Sequence, residues 1–262
     1  MTILAIVIPA FNEARTIRAV AERALRESSL VVVVDDGSTD ETCNALAGLP
    51  VVVVRHDRNR GKAAALWTGF DVALTSEADY VATLDGDGQH DAVDLRRLAV
   101  EAGKHPHSII IGARLIDRVN APFGRRIANA FADFWISWAA GYPIADSQSG
   151  ERIYPAQLLR LIEAAHDRRS SFTFESEVLI RGACLGYSSV SVPIRTIYMG
   201  ASGRQSHFRP VRDVWRIVLM VAQSLLARGL YLKGLWNSLR SSANVVAVED
   251  AHPPELREGI GT

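Results

Sequence analysis

Short apolar runs recur along the first part of the chain, each closed by a polar cluster and followed by residues at helical spacing. Ile3-Leu4-Ala5-Ile6-Val7-Ile8 is continuously apolar, which predicts a strand buried on both faces. Pro9 marks its exit, and Asn12 is placed to cap a helix whose apolar face is Ile17, Val20, Ala21, Ala24 and Leu25. Leu30 to Val34, Val51 to Val54, Val81 to Leu84 and Ser108 to Ile111 read as further strands. A short helix follows the second, Ala63 to Thr75 the third, and Asp91 to Gly103 the fourth. Strand, polar exit, helix, repeated in this way, predicts a doubly wound α/β sheet.

In such sheets ligands bind outside the carboxyl ends of the strands. The polar clusters fall at those ends: Asn12 and Glu13, then Asp35-Asp36-Gly37-Ser38-Thr39-Asp40, then Asp85-Gly86-Asp87-Gly88-Gln89. Asp85, Asp87 and Gln89 offer only hard oxygen ligands, which suit Mg²⁺ or Mn²⁺ rather than zinc. Other readings of the stretch fail on spacing. An EF-hand starting at Asp85 would have His90 where Gly is needed and Arg96 where a bidentate Glu is needed. A dinucleotide fingerprint would have Asp91 at its third Gly. A phosphate loop around Gly61-Lys62 has His56 at its upstream Gly and Ala63 where Ser or Thr is required.

Beyond Ile111 the alternation stops. Ala128 to Ala140 carries Phe131, Phe134, Trp135 and Trp138 and reads as a core helix, with a helix at a membrane surface as the alternative. Asp146-Ser147-Gln148-Ser149-Gly150-Glu151-Arg152 is a dense polar loop. Helices follow near Ala156 to Ala165 and from Phe172 through Leu185, and Ser189 to Ile197 alternates as a strand that Pro193 assigns to an edge. Gly200 to Pro210, with Arg204, His207 and Arg209, reads as a mobile basic loop suited to phosphate. Val211 to Trp236 has an amphipathic helical pattern. Its uncharged part, Ile217 to Ala227, is shorter than the ~20 residues a bilayer span requires. Residues 241–262 lack periodicity and read as a disordered tail.

The chain has 262 residues, is 48% hydrophobic and carries no net charge, which supports a sizeable core and gives no global reason to expect nucleic acid as a partner. Cys43 and Cys184 fit no metal spacing and read as reduced, buried thiols. With no signal-peptide pattern at the N-terminus, the expected location is cytoplasmic, with peripheral contact at the inner face of the cell membrane as the variant.

Four motifs taken together resemble family 2 glycosyltransferases of the GT-A fold, a Rossmann-like doubly wound mixed sheet, here with C-terminal amphipathic helices. They are Ile8-Pro9-Ala10-Phe11-Asn12-Glu13, Val34-Asp35-Asp36-Gly37-Ser38-Thr39-Asp40, Asn59-Arg60-Gly61-Lys62 with Gly69, and Leu84-Asp85-Gly86-Asp87-Gly88-Gln89-His90. Within that family the chain is most similar to dolichyl- and polyprenyl-phosphate mannosyl- or glucosyltransferases, and Asp146 to Arg152 resembles their acceptor-side motif. The resemblance divides the chain into a nucleotide-sugar half (1–112), an acceptor-side half of the same domain (113–210), an amphipathic helical segment (211–240) and the tail (241–262).

The resemblance implies inverting transfer of a sugar from a nucleotide-diphosphate sugar, UDP- or GDP-linked, to a lipid phosphate. The implied donor-binding set is Pro9, Ala10, Phe11, Glu13, Asp36, Lys62, Asp85, Gly86 and Asp87. Asp85, Asp87 and Gln89 would hold Mg²⁺ or Mn²⁺, and Arg114 and Arg126 would hold phosphate. Arg152, Arg204 and His207 are further phosphate-holding candidates; His207 stands where the family's loop usually carries Lys. A hydroxyl acceptor would need a base, for which Asp146 and Glu177 are the candidates beside Asp87. A protein that binds a nucleotide sugar without turnover is the rival from outside enzymology.

Overall fold

The computed structural model describes residues 3–88, 92–116, 123–164, 174–195 and 210–247. One seven-stranded sheet runs through them in the order β3-β2-β1-β4-β6-β5-β7. Its strands are β1 (Leu4–Ala10), β2 (Leu30–Asp35), β3 (Val52–Arg55), β4 (Tyr80–Thr83), β5 (Ser108–Ala113), β6 (Arg152–Pro155) and β7 (Ser188–Pro193). The helices are α1 (Ile17–Glu27), α2 (Lys62–Thr75), α3 (Asp94–Lys104), α4 (Phe123–Ala140), α5 (Ala156–Ala164), α6 (Phe174–Cys184), α7 (Pro210–Ala227) and α8 (Leu232–Arg240).

Successive residues of a strand face opposite sides. Ala5 and Val7 therefore join α2, α4, α5 and α6 in one core, while Ile6 and Ile8 join α1 and α3 in the other. Both faces of β1 are covered, which is why its sequence is apolar without alternation. Strand β1 includes Pro9 and Ala10, beyond the exit expected at Pro9. Val7 O accepts from Leu84 N at 3.1 Å, so alternate residues of β1, Pro9 among them, face β4. Strand β4 pairs with β1 only as far as Thr83 opposite Val7, so Pro9 sacrifices no ladder bond.

The one strand that breaks the parallel order positions the site. β6 lies antiparallel between β4 and β5. Its first residue therefore starts at the carboxyl ends of its neighbours, and the polar loop before it lies across those ends. Arg152, expected in that loop, is the first residue of β6. Thr83 Oγ1 donates to Gly150 O at 2.7 Å and Gly112 N to Glu151 O at 2.9 Å, pinning the loop to both strands.

Three expectations need correction. The long C-terminal helix is broken between α7 and α8, where Leu230 (φ 65°) and Tyr231 (φ 39°) take left-handed backbone. Part of the expected tail is ordered on the sheet: Ser191 N donates to Asn244 O at 2.8 Å and Val246 N to Ser191 O at 2.9 Å, covering the edge that β7 would otherwise expose. The free thiols are not both buried, since Cys184 is exposed and Cys43 half-buried.

Candidate active site

The exits of β1 and β2 are stitched to each other. Asn12 N donates to Ser38 Oγ at 2.9 Å, Thr39 N to Asn12 Oδ1 at 2.9 Å, and Glu13 N to Thr42 Oγ1 at 2.7 Å. Asn12 thus caps no helix: α1 begins later, after Thr16, and the Asn12 side chain serves the neighbouring exit. Asp36 is buried and anchors the loop ahead of α2. Its Oδ1 accepts from Arg60 N at 2.8 Å and lies 2.7 Å from His56 Nδ1, and its Oδ2 accepts from Gly61 N at 2.7 Å. The turn after β4 closes on the first exit: Thr16 Oγ1 donates to Gly86 O at 2.8 Å, and a Cβ on Gly86 would lie 3.2 Å from Pro9 O and 3.5 Å from Glu13 Cγ. Pro9, Ala10, Glu13 and Gly86, distant in sequence, thus meet at one sheet edge, with Phe11 half-buried beside them.

Lys62, the first residue of α2, joins this edge to the acceptor side. Its Nζ is 2.7 Å from Asp85 Oδ1 and 2.9 Å from Glu175 Oε1. A cation at a helix N-terminus opposes the macrodipole, so the position is held by its two carboxylates rather than by helix preference. Burial pulls the Lys62 pKa down, but Asp85 and Glu175 together hold it well above the ordinary lysine value. Burial likewise raises the Glu175 carboxyl, and Lys62 and Arg152 overcome it, leaving Glu175 below the usual carboxylate range. The Asp85 carboxylate, 27% exposed, also abuts Gly150: a side chain there would collide with Asp85 Oδ2. A larger residue there would push the Asp85 carboxylate from its place beside Lys62.

That turn fits a hard divalent cation. Asp85 and Asp87 are both half-buried carboxylates in a backbone turn set by Gly88 at φ 74°. They are two hard oxygen donors, the kind that suits Mg²⁺ or Mn²⁺. Among the described residues no cluster of three or more His, Cys, Asp or Glu side chains forms a closed metal cage. Gln89, the third expected ligand, lies outside the described residues, as do Arg204 and His207.

On the acceptor side the expected base and the expected phosphate holder bind each other. Arg114 Nε and backbone N each donate to Asp146 Oδ2 at 2.8 Å, and Arg114 Nη2 donates to Asp146 Oδ1 at 2.7 Å. Asp146 is buried in left-handed backbone (φ 53°). Burial raises its pKa, but the Arg114 guanidinium prevails and holds the carboxyl below the aspartate value. An acid-shifted carboxylate with both oxygens taken is poorly suited to accept a proton at neutral pH.

Arg152 cannot hold phosphate where it lies. It is fully buried, and it donates to the carbonyls of Ser149 (2.8 Å), Glu175 (2.6 Å) and Ser147 (2.6 Å). It is an internal brace that ties the polar loop to the first turn of α6. Glu177 points along α6 to Arg181, 2.8 Å away at i,i+4 spacing. Arg126 is exposed in the first turns of α4. Glu175 went unassigned in the sequence because nothing local distinguishes it from Glu177. Its placement comes from Phe174, whose ring packs 5.6 Å from Trp67 and 5.5 Å from Phe70 and so draws the start of α6 onto α2.

Comparison with known proteins places this geometry among sugar transferases. The model of "Glycosyl transferase family 2" matches residues 5–163. The polyprenol monophosphomannose synthase of Mycolicibacterium smegmatis is 30% identical over 202 residues, 72% of this chain and 75% of that protein. The UDP-N-acetylglucosamine–dolichyl-phosphate N-acetylglucosaminyltransferase of Methanococcus voltae is 27% identical over 214 residues, 74% of this chain and 85% of that protein. Among solved structures, the glucosyl-3-phosphoglycerate synthase of Mycobacterium tuberculosis, in complex with Mn²⁺, UDP and glucosyl-3-phosphoglycerate, superposes with a TM-score of 0.57. That match has 19% identity and covers 87% of this chain and 80% of that one.

Proposed function

Because this chain belongs to glycosyl transferase family 2, we propose that it moves a sugar from a nucleotide-diphosphate donor to a polyprenyl phosphate or related lipid carrier, with inversion at the anomeric carbon. In this reaction an acceptor phosphate oxygen forms the new bond to the sugar as the bond to the nucleoside diphosphate breaks. A divalent cation on Asp85 and Asp87 would offset the charge gathering on the leaving diphosphate. Lys62 adds an ammonium next to that charge, and Pro9, Ala10, Phe11 and Glu13 line the nucleoside end.

One observation carries the choice of acceptor. Among the described residues, the two candidate bases on the acceptor side and the glutamate beside them are each engaged by a cation: Asp146 by Arg114, Glu177 by Arg181, Glu175 by Lys62. A hydroxyl acceptor needs a proton acceptor, whereas a phosphate monoester is already ionised near neutral pH and needs only positive charge to hold it. The names of the mycobacterial and archaeal relatives, both acting on polyprenyl-type phosphates, support the same reading. The Mn²⁺ and UDP in the M. tuberculosis enzyme support the donor and the cation.

A partition assay tests this. Protein is incubated with Mn²⁺ or Mg²⁺, undecaprenyl phosphate and radiolabelled UDP- and GDP-sugars, and label is counted in the organic phase. Metal-dependent organic label from one donor is expected. Donor consumption that needs a saccharide or lipid hydroxyl instead would return the choice to a base mechanism. Calorimetric donor binding with no consumption would leave a binding protein.

A further inference from the structure

The apolar side chains at the C-terminal end are turned outward by construction. On α8, Leu232, Trp236 and Leu239 form one stripe at 67%, 60% and 64% exposure. The opposite side of α8 is Gly234, which is buried: a Cβ there would lie 2.9 Å from Trp138 O of α4. The smallest residue faces the protein and the largest face water, the reverse of ordinary amphipathic packing. The bend before α8 is held in that orientation. Trp138 Nε1 donates to Leu230 O at 3.1 Å, Arg228 Nη1 donates to Ala139 O at 2.7 Å, and the Arg228 guanidinium sits 3.8 Å over the Tyr231 ring. Left-handed backbone at two non-glycine residues persists only where surrounding contacts enforce it.

Helix α4 extends the surface. Ile127, Phe131 and Phe134 are exposed along one side of it, so it is not purely the core helix that its sequence favours over a membrane-surface one. Its other polar side grips the site: Asp133 Oδ1 accepts from Ser147 N at 2.8 Å and Ser137 Oγ from Ile144 N at 2.9 Å. The apolar face and the loop carrying Asp146 are therefore two sides of the same helix.

We propose that the exposed stripe of α8, with the adjoining exposed side of α4, docks on the surface of an anionic lipid bilayer. Charge selects this occupant. From Val218 to Ala247 the chain has no Asp or Glu, while Arg228, Lys233 and Arg240 supply only positive charge. Arg240 lies 4.4 Å over the Trp236 ring, a basic group stacked on an aromatic at the rim of the stripe. Leu and Trp flanked by Lys and Arg is the composition that seats a helix in the headgroup layer of anionic membranes. A second copy of the chain, paired through the same patch, would bring like charges together. The geometry suits lying on a membrane rather than crossing it. No single described helix is long and apolar enough to span; Val218–Ala227 and Gly229–Arg240 reach that length and apolarity only together, across a bend of 110°. The docking stands apart from the proposed acceptor, and if that acceptor is a lipid phosphate the same surface delivers the site to it.

The test is co-sedimentation of the full chain with sucrose-loaded vesicles, of phosphatidylcholine alone or enriched in phosphatidylglycerol. Binding to the anionic vesicles, weakened by salt and accompanied by a blue shift of tryptophan emission, is expected. The Leu232→Ser/Leu239→Ser double variant and the Lys233→Glu/Arg240→Glu double variant should each lower partitioning about tenfold or more. These side chains are exposed, so thermal melts of both variants should match the parent. Transfer to a water-soluble short-chain prenyl phosphate should be unchanged, which separates docking from the acceptor reading. Wild-type protein that ignores anionic vesicles, or variants that bind them equally, would overturn the proposal. So would a dimer in sedimentation velocity that the leucine variants dissociate, since that assigns the face to a second copy.

Discussion

The proposed donor half (1–112) and acceptor-side half (113–210) use the same residue type, aspartate and glutamate at strand and helix ends, for different work. In the donor half, buried carboxylates bond to nearby backbone. Asp36 holds Arg60 N and Gly61 N, and Asp35 Oδ1 holds Ser38 N at 2.9 Å. They shape loops, while Asp85, paired with Lys62, and Asp87 follow the carboxyl end of β4. In the acceptor half, carboxylates find cations contributed by other elements or other turns: Asp146 with Arg114, Glu175 with Lys62, Glu177 with Arg181. The first set mainly shapes loops through backbone donors, with Asp85 held by Lys62; the second is tied up in side-chain ion pairs, two of them between separate elements. The proposed transfer onto an anionic acceptor would use the first set beside a cation and leave the second neutralised.

The largest test of this contrast is Asp87→Ala. If Asp85 and Asp87 serve the leaving diphosphate, turnover should fall on the order of a hundredfold or more, the cost of removing one preorganised contact to developing charge. The thermal melt should barely move. Near-normal turnover would break the contrast at its donor end. Next is Arg152→Ala. Losing a buried guanidinium strands the carbonyls of Ser147, Ser149 and Glu175. A cost of about 3 kcal/mol is expected, lowering Tm on the order of 10 °C. Parent-like stability would show that Arg152 is not the brace described.

Asp146→Asn comes third. Its folded pKa is depressed, so the stability from its pair with Arg114 is present above the ordinary aspartate pKa and is lost as pH falls through the folded value. The variant should lose about 2 kcal/mol at neutral pH and should unfold with a shallower acid limb, read as Tm against pH from neutral into the acid range. If Asp146 were a base instead, the stability change would be small. The rate at neutral pH would then collapse, with loss of the limb that reports the base.

What was legible before the structure follows the same division. The six parallel strands are legible because most of the apolar runs are bounded by their own turn chemistry, as at Asp35-Asp36-Gly37-Ser38. Strand β6 was hidden: Arg152-Ile153-Tyr154-Pro155 is short and opens with a charge, and it is a strand only because β4 and β5 flank it. The residues of the site were named more readily than their partners. The sequence singles out both Arg114 and Asp146, as a phosphate holder and a base that would act separately. Their 2.7 Å contact joins positions far apart in sequence, on which periodicity is silent. Arg152 misleads for the same reason, since an arginine in a polar stretch gives no sign that three carbonyls will enclose it.

The finest test compares two glutamates that the sequence could not tell apart. Glu175 and Glu177 both lie in the first turn of α6, where either favours the helix N-terminus. Two positions along a helix do not share a face, so only one reaches Lys62, and Phe174 against Trp67 decides that it is Glu175. In Glu175→Gln, Lys62 keeps Asp85 as its remaining counter-charge, which ties that carboxylate more closely to the ammonium and less to the donor. A drop of about tenfold in kcat/KM at neutral pH is expected. Glu177→Gln removes only a partly exposed i,i+4 pair, so stability should change by a few tenths of a kcal/mol and the rate should stay within about twofold. The wild-type rate should decline only as pH falls below about 6, where a phosphate monoester dianion takes up a proton, and both variants should keep that limb. If Glu177→Gln instead abolished turnover and moved the limb, Glu177 would be a proton acceptor and the acceptor a hydroxyl. The acceptor half would then be no neutralised cradle, and the contrast between the two halves would fail.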